Sequence, residues 1–295
     1  YPASHVPMSL ASQDPNLGTA RGEERWQNVS PADVQLQKRI GAGACGEVWL
    51  GTCHRRKVAI KRVFRSLLTE NAFDEFAKEA AILRSLRHPN VVDFLATIVD
   101  SENNMCIVCE YVEGGSLFDI IHDASFPWTL AKRMKVLHSA AKGMKYLHSC
   151  KVIHRDLKSH NLLVTSTCTA KVTDFGLART LDHDMQSMAN TMCGTVPWCA
   201  PEVLQGQKYD FKVDSFSFGL VMYEVFSRLE PYKGLTQAKV IVGVLKDNLR
   251  PILPKNTGCP DYVCLLMQKC WESDPSKRPC FADIVNILEG SRSRV

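Results

Sequence analysis

An α+β architecture of two unequal lobes, a small β-rich lobe with one helix and a larger, mainly helical one, is predicted by three observations. Short apolar strand patterns crowd the stretch from Val34 to Tyr111. Gly114-Gly115-Ser116 then breaks the chain as a hinge would. Beyond it, apolar residues recur at helical spacing.

Each element follows in order. Residues 1–33 read as a flexible lead-in, because the stretch to about Arg25 is rich in Ser, Pro, Ala and Gly without periodicity. The folded unit is expected over 34–295, divided into lobes 34–112 and 113–295. Strands are predicted at Val34–Ile40, Glu47–Gly51 and Lys57–Val63. A helix over Ala72–Leu86 places Phe73, Phe76, Ala80 and Leu83 on one face. Further strands are expected near Val91–Val99 and Met105–Tyr111. In the larger lobe, Thr129–His148 reads as a long helix with Leu130, Met134, Leu137, Ala141, Met144 and Leu147 on a core stripe. Val213–Phe226 is strongly apolar and reads as a buried central helix.

Composition narrows the function classes. The hydrophobic content of 45% and charged content of 23% in 295 residues suit a soluble globular chain. A formal net charge of +5 with scattered Lys and Arg gives no basic block, so nucleic-acid binding is not expected. No apolar run reaches the length of a membrane span, and the first residues show no signal peptide. The chain does not start with Met and reads as a piece of something longer. Twelve Cys are scattered along the chain, with Cys106 and Cys109 the one pair at C-x-x-C spacing. Reduced thiols and a cytoplasmic location are the expectation, and no zinc site is read from them.

Two strings carry the chemistry. His154-Arg155-Asp156-Leu157-Lys158-Ser159-His160-Asn161 and Asp174-Phe175-Gly176 place two carboxylates, an amide and an ammonium on neighbouring short segments. Phosphoryl transfer needs this inventory: a base for an incoming hydroxyl, oxygen ligands for Mg²⁺ and positive charge on the moving phosphate. Upstream stand Ile40-Gly41-Ala42-Gly43-Ala44-Cys45-Gly46-Glu47-Val48 and Val58-Ala59-Ile60-Lys61, and downstream Ala200-Pro201-Glu202. The glycine loop alone also fits a Rossmann turn, but Glu47-Val48-Trp49-Leu50 continues as a strand rather than a helix. No G-x-x-x-x-G-K-[ST] is present, which argues against a P-loop enzyme.

With these motifs in order from about Val34 to about Leu288, the chain resembles the eukaryotic protein kinase family. The resemblance implies the bilobal kinase fold, ATP with Mg²⁺ (or Mn²⁺) as cofactors, and protein substrates. It implies that Ile40, Gly41, Ala42, Gly43, Ala44, Cys45, Gly46, Val48, Ala59, Lys61, Cys109, Glu110, Val112 and Leu163 surround the nucleotide. Cys109 stands at the family's gatekeeper position, where a small side chain leaves a deeper adenine pocket. Lys61 ends an apolar strand and needs negative partners, which the ATP phosphates and Glu79 would supply. Asp156 is the candidate base, and Asn161 and Asp174 the candidate metal ligands. Phe175 is expected to pack with Leu83, Phe94 and His154, which makes His154 a packing residue.

Lys158 is the residue protein-serine/threonine kinases usually carry at this place, and Thr195 is expected to hydrogen-bond Asp156 and Lys158. HRDLKSHN with GTVPWCAPE looks most like the tyrosine-kinase-like group, which includes Raf and mixed-lineage kinases. A dual-specificity or tyrosine kinase is the alternative. A pseudokinase scaffold is disfavoured because no catalytic part is missing, and a small-molecule kinase because the segment around Ala200-Pro201-Glu202 looks built for a peptide. Glu202 and Arg278 are expected to form a buried ion pair, with Asp214 propping the catalytic loop. Arg155 calls for a phosphate on the segment 174–202. Among Thr180, Ser187, Thr191 and Thr195, Thr191 and Ser187 are favoured as phosphosites. An upstream kinase, or a second copy acting in trans, would then be a partner.

Overall fold

The computed structural model of the chain describes residues 29–43, 46–64, 80, 83–174, 179–180 and 195–290. The small lobe is an antiparallel five-stranded sheet of β1 (Val34–Gly43), β2 (Gly46–Cys53), β3 (Arg56–Val63), β4 (Phe94–Val99) and β5 (Met105–Glu110), in the order β1-β2-β3-β5-β4. β1 is irregular between Leu36 and Lys38 and between Arg39 and Gly41, which adds twist to the hairpin. Gly46 has a steric reason to be glycine. A Cβ there would lie 2.0 Å from the carbonyl oxygen of Arg62 on β3. Cys53, Val58, Ile60, Ala96, Ile98, Cys106 and Val108 form a separate core on this sheet.

The strand expected at Val91–Val99 is shorter than its apolar pattern. Val91 leaves the sheet and bridges to Val172 of the large lobe instead. Neighbouring Asn90 is buried, donates its side-chain amide to the Ala170 carbonyl (3.0 Å) and accepts from the Val172 amide (2.9 Å). The turn before it packs as His88 stacked on Tyr146, whose hydroxyl accepts from the Arg87 amide at 2.8 Å. These contacts seat the segment after the small-lobe helix on the large lobe. Of that helix, residue 80 and residues 83–85 are described as helical. Phe73, Phe76 and Glu79 lie outside the described residues.

The glycine break is followed at once by a helix absent from the sequence reading, α1 (Leu117–His122). Gly115 turns the chain at φ +74°, and Ser116 caps the helix by accepting from the Asp119 amide at 3.1 Å. α2 (Leu130–Ser149) begins at its cap Thr129, as the pattern predicts. One residue of its expected core stripe is corrected: Leu130 is 46% exposed. It lies in the first turn, before the helix passes beneath its neighbours, whereas Leu137, Ala141, Met144 and Leu147 farther along are fully buried.

Short strands β6 (Val152–Ile153), β7 (Leu162–Val164), β8 (Ala170–Val172) and β9 (Arg179–Thr180) frame the catalytic strings. There follow α3 (Pro201–Leu204), α4 (Lys212–Ser227), α5 (Gln237–Lys246), α6 (Asp261–Cys270) and α7 (Phe281–Gly290). Every residue of α4 from Val213 to Phe226 is buried, so the apolar segment is the axis of the lobe. Burying Phe216 and Phe218 alone contributes roughly 1.5–3 kcal/mol each. Glu202 of α3 meets Arg278 in a buried bidentate pair at 2.6 and 2.9 Å, and Arg278 also donates to the Glu272, Ser273 and Lys212 carbonyls. No helix among the described residues is long and apolar enough to cross a membrane.

Candidate active site

The site is built on the loops between β6 and β8, with β3 reaching across from the small lobe. Asp214, in the first turn of α4, has no exposed surface. Its Oδ2 accepts from the His154 amide (2.9 Å) and from His148 Nε2 (2.8 Å), and its Oδ1 accepts from the Arg155 amide (2.9 Å). Arg155 is held at φ +71°, a left-handed conformation costly for a residue with a Cβ unless neighbours impose it. Asp214 imposes it. Burial pushes the Asp214 carboxyl up, but the bonds from His148 and the loop amides outweigh burial and hold it below the ordinary value.

The braced loop presents Asp156. Its Oδ1 accepts from the Thr195 hydroxyl (2.8 Å) and amide (3.0 Å), and its Oδ2 accepts from Lys158 Nζ (2.7 Å). Lys158 also donates to Thr195 Oγ1 at 2.5 Å. A hydroxyl is thus held between a carboxylate and an ammonium. Asn161 directs its amide nitrogen at the Asp156 carbonyl (2.8 Å) and Oδ2 (3.0 Å), which turns its amide oxygen the other way. Its carbonyl accepts from the Thr173 amide (3.0 Å), which brings the loop against the segment ending in Asp174.

Asp174 stands at φ +61°. Its Oδ1 accepts from Lys61 Nζ at 2.8 Å, joining the two lobes across the cleft. Desolvation raises the Asp174 carboxyl, and the Lys61 charge and hydrogen bond more than reverse this. An amide oxygen from Asn161 and a carboxylate from Asp174 that is 46% exposed make an all-oxygen donor set, which fits a hard divalent cation. Lys61 beside them supplies a charge suited to phosphate.

The remaining expected residues fall around this centre. Gly41, Ala42, Gly43, Gly46 and Val48 lie on the β1–β2 hairpin, where Gly41 pairs with Val48, and Ile40 precedes them at 45% exposure. Ala44 and Cys45 at its tip lie outside the described residues. Ala59 on β3 pairs with Cys109 on β5, one residue before Glu110. The Glu110 carboxylate is engaged, accepting from Lys171 Nζ and from the Asp93 amide, so a nucleotide contact from this residue falls to its backbone. Val112 is buried and Leu163 half-buried on β7, bridged to Ser116. His154 is fully buried, its Nε2 at 2.9 Å from the Thr173 carbonyl, in keeping with a packing residue. Glu79, Phe175, Ser187 and Thr191 lie outside the described residues. Thr180 pairs with Val152 through the backbone, and Thr195 is engaged by Asp156 and Lys158.

Sequence reasoning overlooked Glu224. It is fully buried on α4 and accepts from Ser159 Oγ at 2.6 Å and from Trp198 Nε1 at 2.9 Å. The available signal was a second carboxylate inside a strongly apolar helix, which must find donors.

Comparison with known proteins agrees with this geometry. The model of the family described as protein tyrosine and serine/threonine kinase matches residues 34–288. The chain is 39% identical to a Dictyostelium discoideum protein named "Probable serine/threonine-protein kinase drkB", over 91% of this chain and 38% of that protein. It is 42% identical to "Probable serine/threonine-protein kinase drkC" of the same organism, over 88% of this chain and 35% of that protein. It is 37% identical to "Serine/threonine-protein kinase STY17" of Arabidopsis thaliana, over 90% of this chain and 46% of that protein. The chain therefore spans less than half the length of these relatives. With the motifs in sequence order, the two lobes and the Asp156–Lys158–Thr195 cluster all in place, the chain belongs to the protein tyrosine and serine/threonine kinase family.

Proposed function

We propose that the chain transfers the γ-phosphoryl group of ATP to serine and threonine hydroxyls of protein substrates. The observation that carries this reading is the hydroxyl of Thr195 held at 2.8 Å from the Asp156 carboxylate and 2.5 Å from the Lys158 ammonium. An acceptor hydroxyl needs the same two partners: a carboxylate to take its proton and a cation beside the oxygen that attacks. The printed names of the drkB, drkC and STY17 proteins support the same acceptor class.

ATP with Mg²⁺ supplies the phosphoryl group and neutralises charge on it when bound. The chain's own residues do the rest. Asn161 and Asp174 would hold the cation, Lys61 the phosphates, and the β1–β2 hairpin would cover them. Ile40, Val48, Ala59, Cys109, Val112 and Leu163 would enclose the adenine. Asp156 orients the acceptor and takes its proton, and Glu79 steadies Lys61. Residues 34–295 form the catalytic unit, with the lobes dividing at 112. The scattered cysteines of the sequence support a cytoplasmic setting. A phosphate on Thr191 or Ser187, placed by an upstream kinase or a second copy, pairs with Arg155 and raises activity. Phosphatase treatment should therefore lower turnover.

The reaction is tested with Lys61→Met and Asp174→Asn. Each should cut transfer to dephosphorylated casein by about 100-fold or more while leaving the thermal midpoint near the parent value. Near-parental turnover in either variant refutes the assigned roles.

A further inference from the structure

Glu224 belongs to none of the roles above, yet it is a fully buried carboxylate touching both halves of the acceptor platform. Its Oε1 accepts from Ser159 Oγ at 2.6 Å, and its Oε2 accepts from Trp198 Nε1 at 2.9 Å. Ser159 follows Lys158 directly, in the 3-10 turn Ser159–Asn161 whose Asn161 amide donates to the Lys158 carbonyl at 3.0 Å. Trp198 closes a second 3-10 turn, Val196–Trp198, in which its amide donates to the Thr195 carbonyl at 2.9 Å. Moving Ser159 thus moves Lys158 and Asn161, and moving Trp198 moves Thr195. α4 grips Trp198 at a second point, because Ser217 Oγ donates to the Trp198 carbonyl at 2.8 Å.

We propose that Glu224 is a positioning residue for phosphoryl transfer. Its carboxylate clamps the catalytic loop through Ser159 and the acceptor-side loop through Trp198 to one point on α4. The clamp fixes the spacing of Asp156, Lys158 and Thr195 on which acceptor placement depends. It rests on the kinase reading above and deepens it.

The clamp is proton-sensitive by its chemistry. Both side-chain partners donate to it, and the indole N–H can do nothing else. A proton on Glu224 turns one oxygen into a donor, and it must fall on the Ser159 side. Ser159 Oγ–H must then find another acceptor. Burial pushes the Glu224 carboxyl up to about 7 despite the bonds from Ser159 and Trp198, with Glu230 on the loop after α4 adding repulsion. The charged or titratable groups next to the clamp's partners are Lys158 and His160, which flank Ser159 in the chain. His160 sets its ring edge-on to Trp198 and stacks on Phe118 of α1, where Asp119 and His122 stand nearby. Burial lowers the His160 value, which separates its titration from that of Glu224.

The test uses steady-state transfer to dephosphorylated casein from pH 5.5 to 8.5, with KM for ATP and the thermal midpoint measured alongside. For the parent, kcat should rise with pH through an inflection near 7. Glu224→Gln should lower kcat by about tenfold, keep KM for ATP within about twofold, and abolish that inflection. Trp198→Phe keeps an aromatic ring, removes the N–H, and serves if Glu224→Gln folds poorly. It should lower kcat by about threefold with KM for ATP unchanged. A parental kcat and inflection in Glu224→Gln, or losses confined to KM for ATP, would overturn the clamp alone. No casein phosphorylation by the parent at any pH would sink the kinase reading and the clamp with it.

Discussion

The two ends of α4 carry the same functional group in opposite states. Asp214 in its first turn and Glu224 near its end are both fully buried, and burial drives both carboxyls upward. At Asp214 two loop amides and His148 donate, and the carboxyl stays below its ordinary range. At Glu224 the side-chain donors are one hydroxyl and one indole, with a carboxylate as the charged neighbour, and the value rises to about 7. The kind of donor and the charge beside it decide the outcome, not depth: histidines stand near Asp214 and Glu230 near Glu224. One end is a permanent brace for the loop at His154 and Arg155. The other changes its bonding within the range where cells and assays operate.

The comparison is broken most forcefully at the brace. Asp214→Ala leaves two buried amides and the His148 ring without their acceptor, and it releases Arg155 from its left-handed conformation. A loss of about 3–5 kcal/mol is expected in urea unfolding. An unchanged midpoint at constant slope would mean that the brace does not hold the loop.

A smaller effect sharpens the other end, through the pH dependence of stability. Glu224 is raised from 4.5 to about 7, so its contribution is fully present below pH 4.5 and is lost as pH rises through 7. Asp214 is lowered, so its contribution is present above pH 3.8 and lost on acidification below that value. Glu224→Gln should therefore gain stability relative to the parent between pH 5 and 8, by on the order of 2–3 kcal/mol. Parallel parent and variant curves across that window would place the Glu224 titration elsewhere.

The brace was largely legible in the sequence and the clamp was not. Lys61, Asp156, Lys158, Asn161 and Asp174 are each tied to a local string, and Asp214 was expected from the resemblance that those strings carry. The two-lobed order of elements followed from short apolar strand patterns, the Gly114-Gly115-Ser116 break, the helical stripe of α2 and the apolar run of α4. Three features escaped for physical reasons. α1 is a six-residue helix, too short for a periodicity to register, although Ser116 and Asp119 carried a cap signature. Val91 is apolar like its strand neighbours, but its partner is Val172, far along the chain. Glu224 meets Ser159 across 65 residues, and no local pattern encodes that pairing. Leu130 erred in the other direction, since a helical stripe says which face is apolar but not where the helix emerges from its neighbours.

The acceptor geometry around Asp156 is tested most directly by phosphoamino-acid analysis of dephosphorylated casein labelled by the chain from γ-labelled ATP. The expected result is phosphoserine and phosphothreonine. Predominant phosphotyrosine would contradict the role assigned to Lys158 and Thr195 in selecting the acceptor.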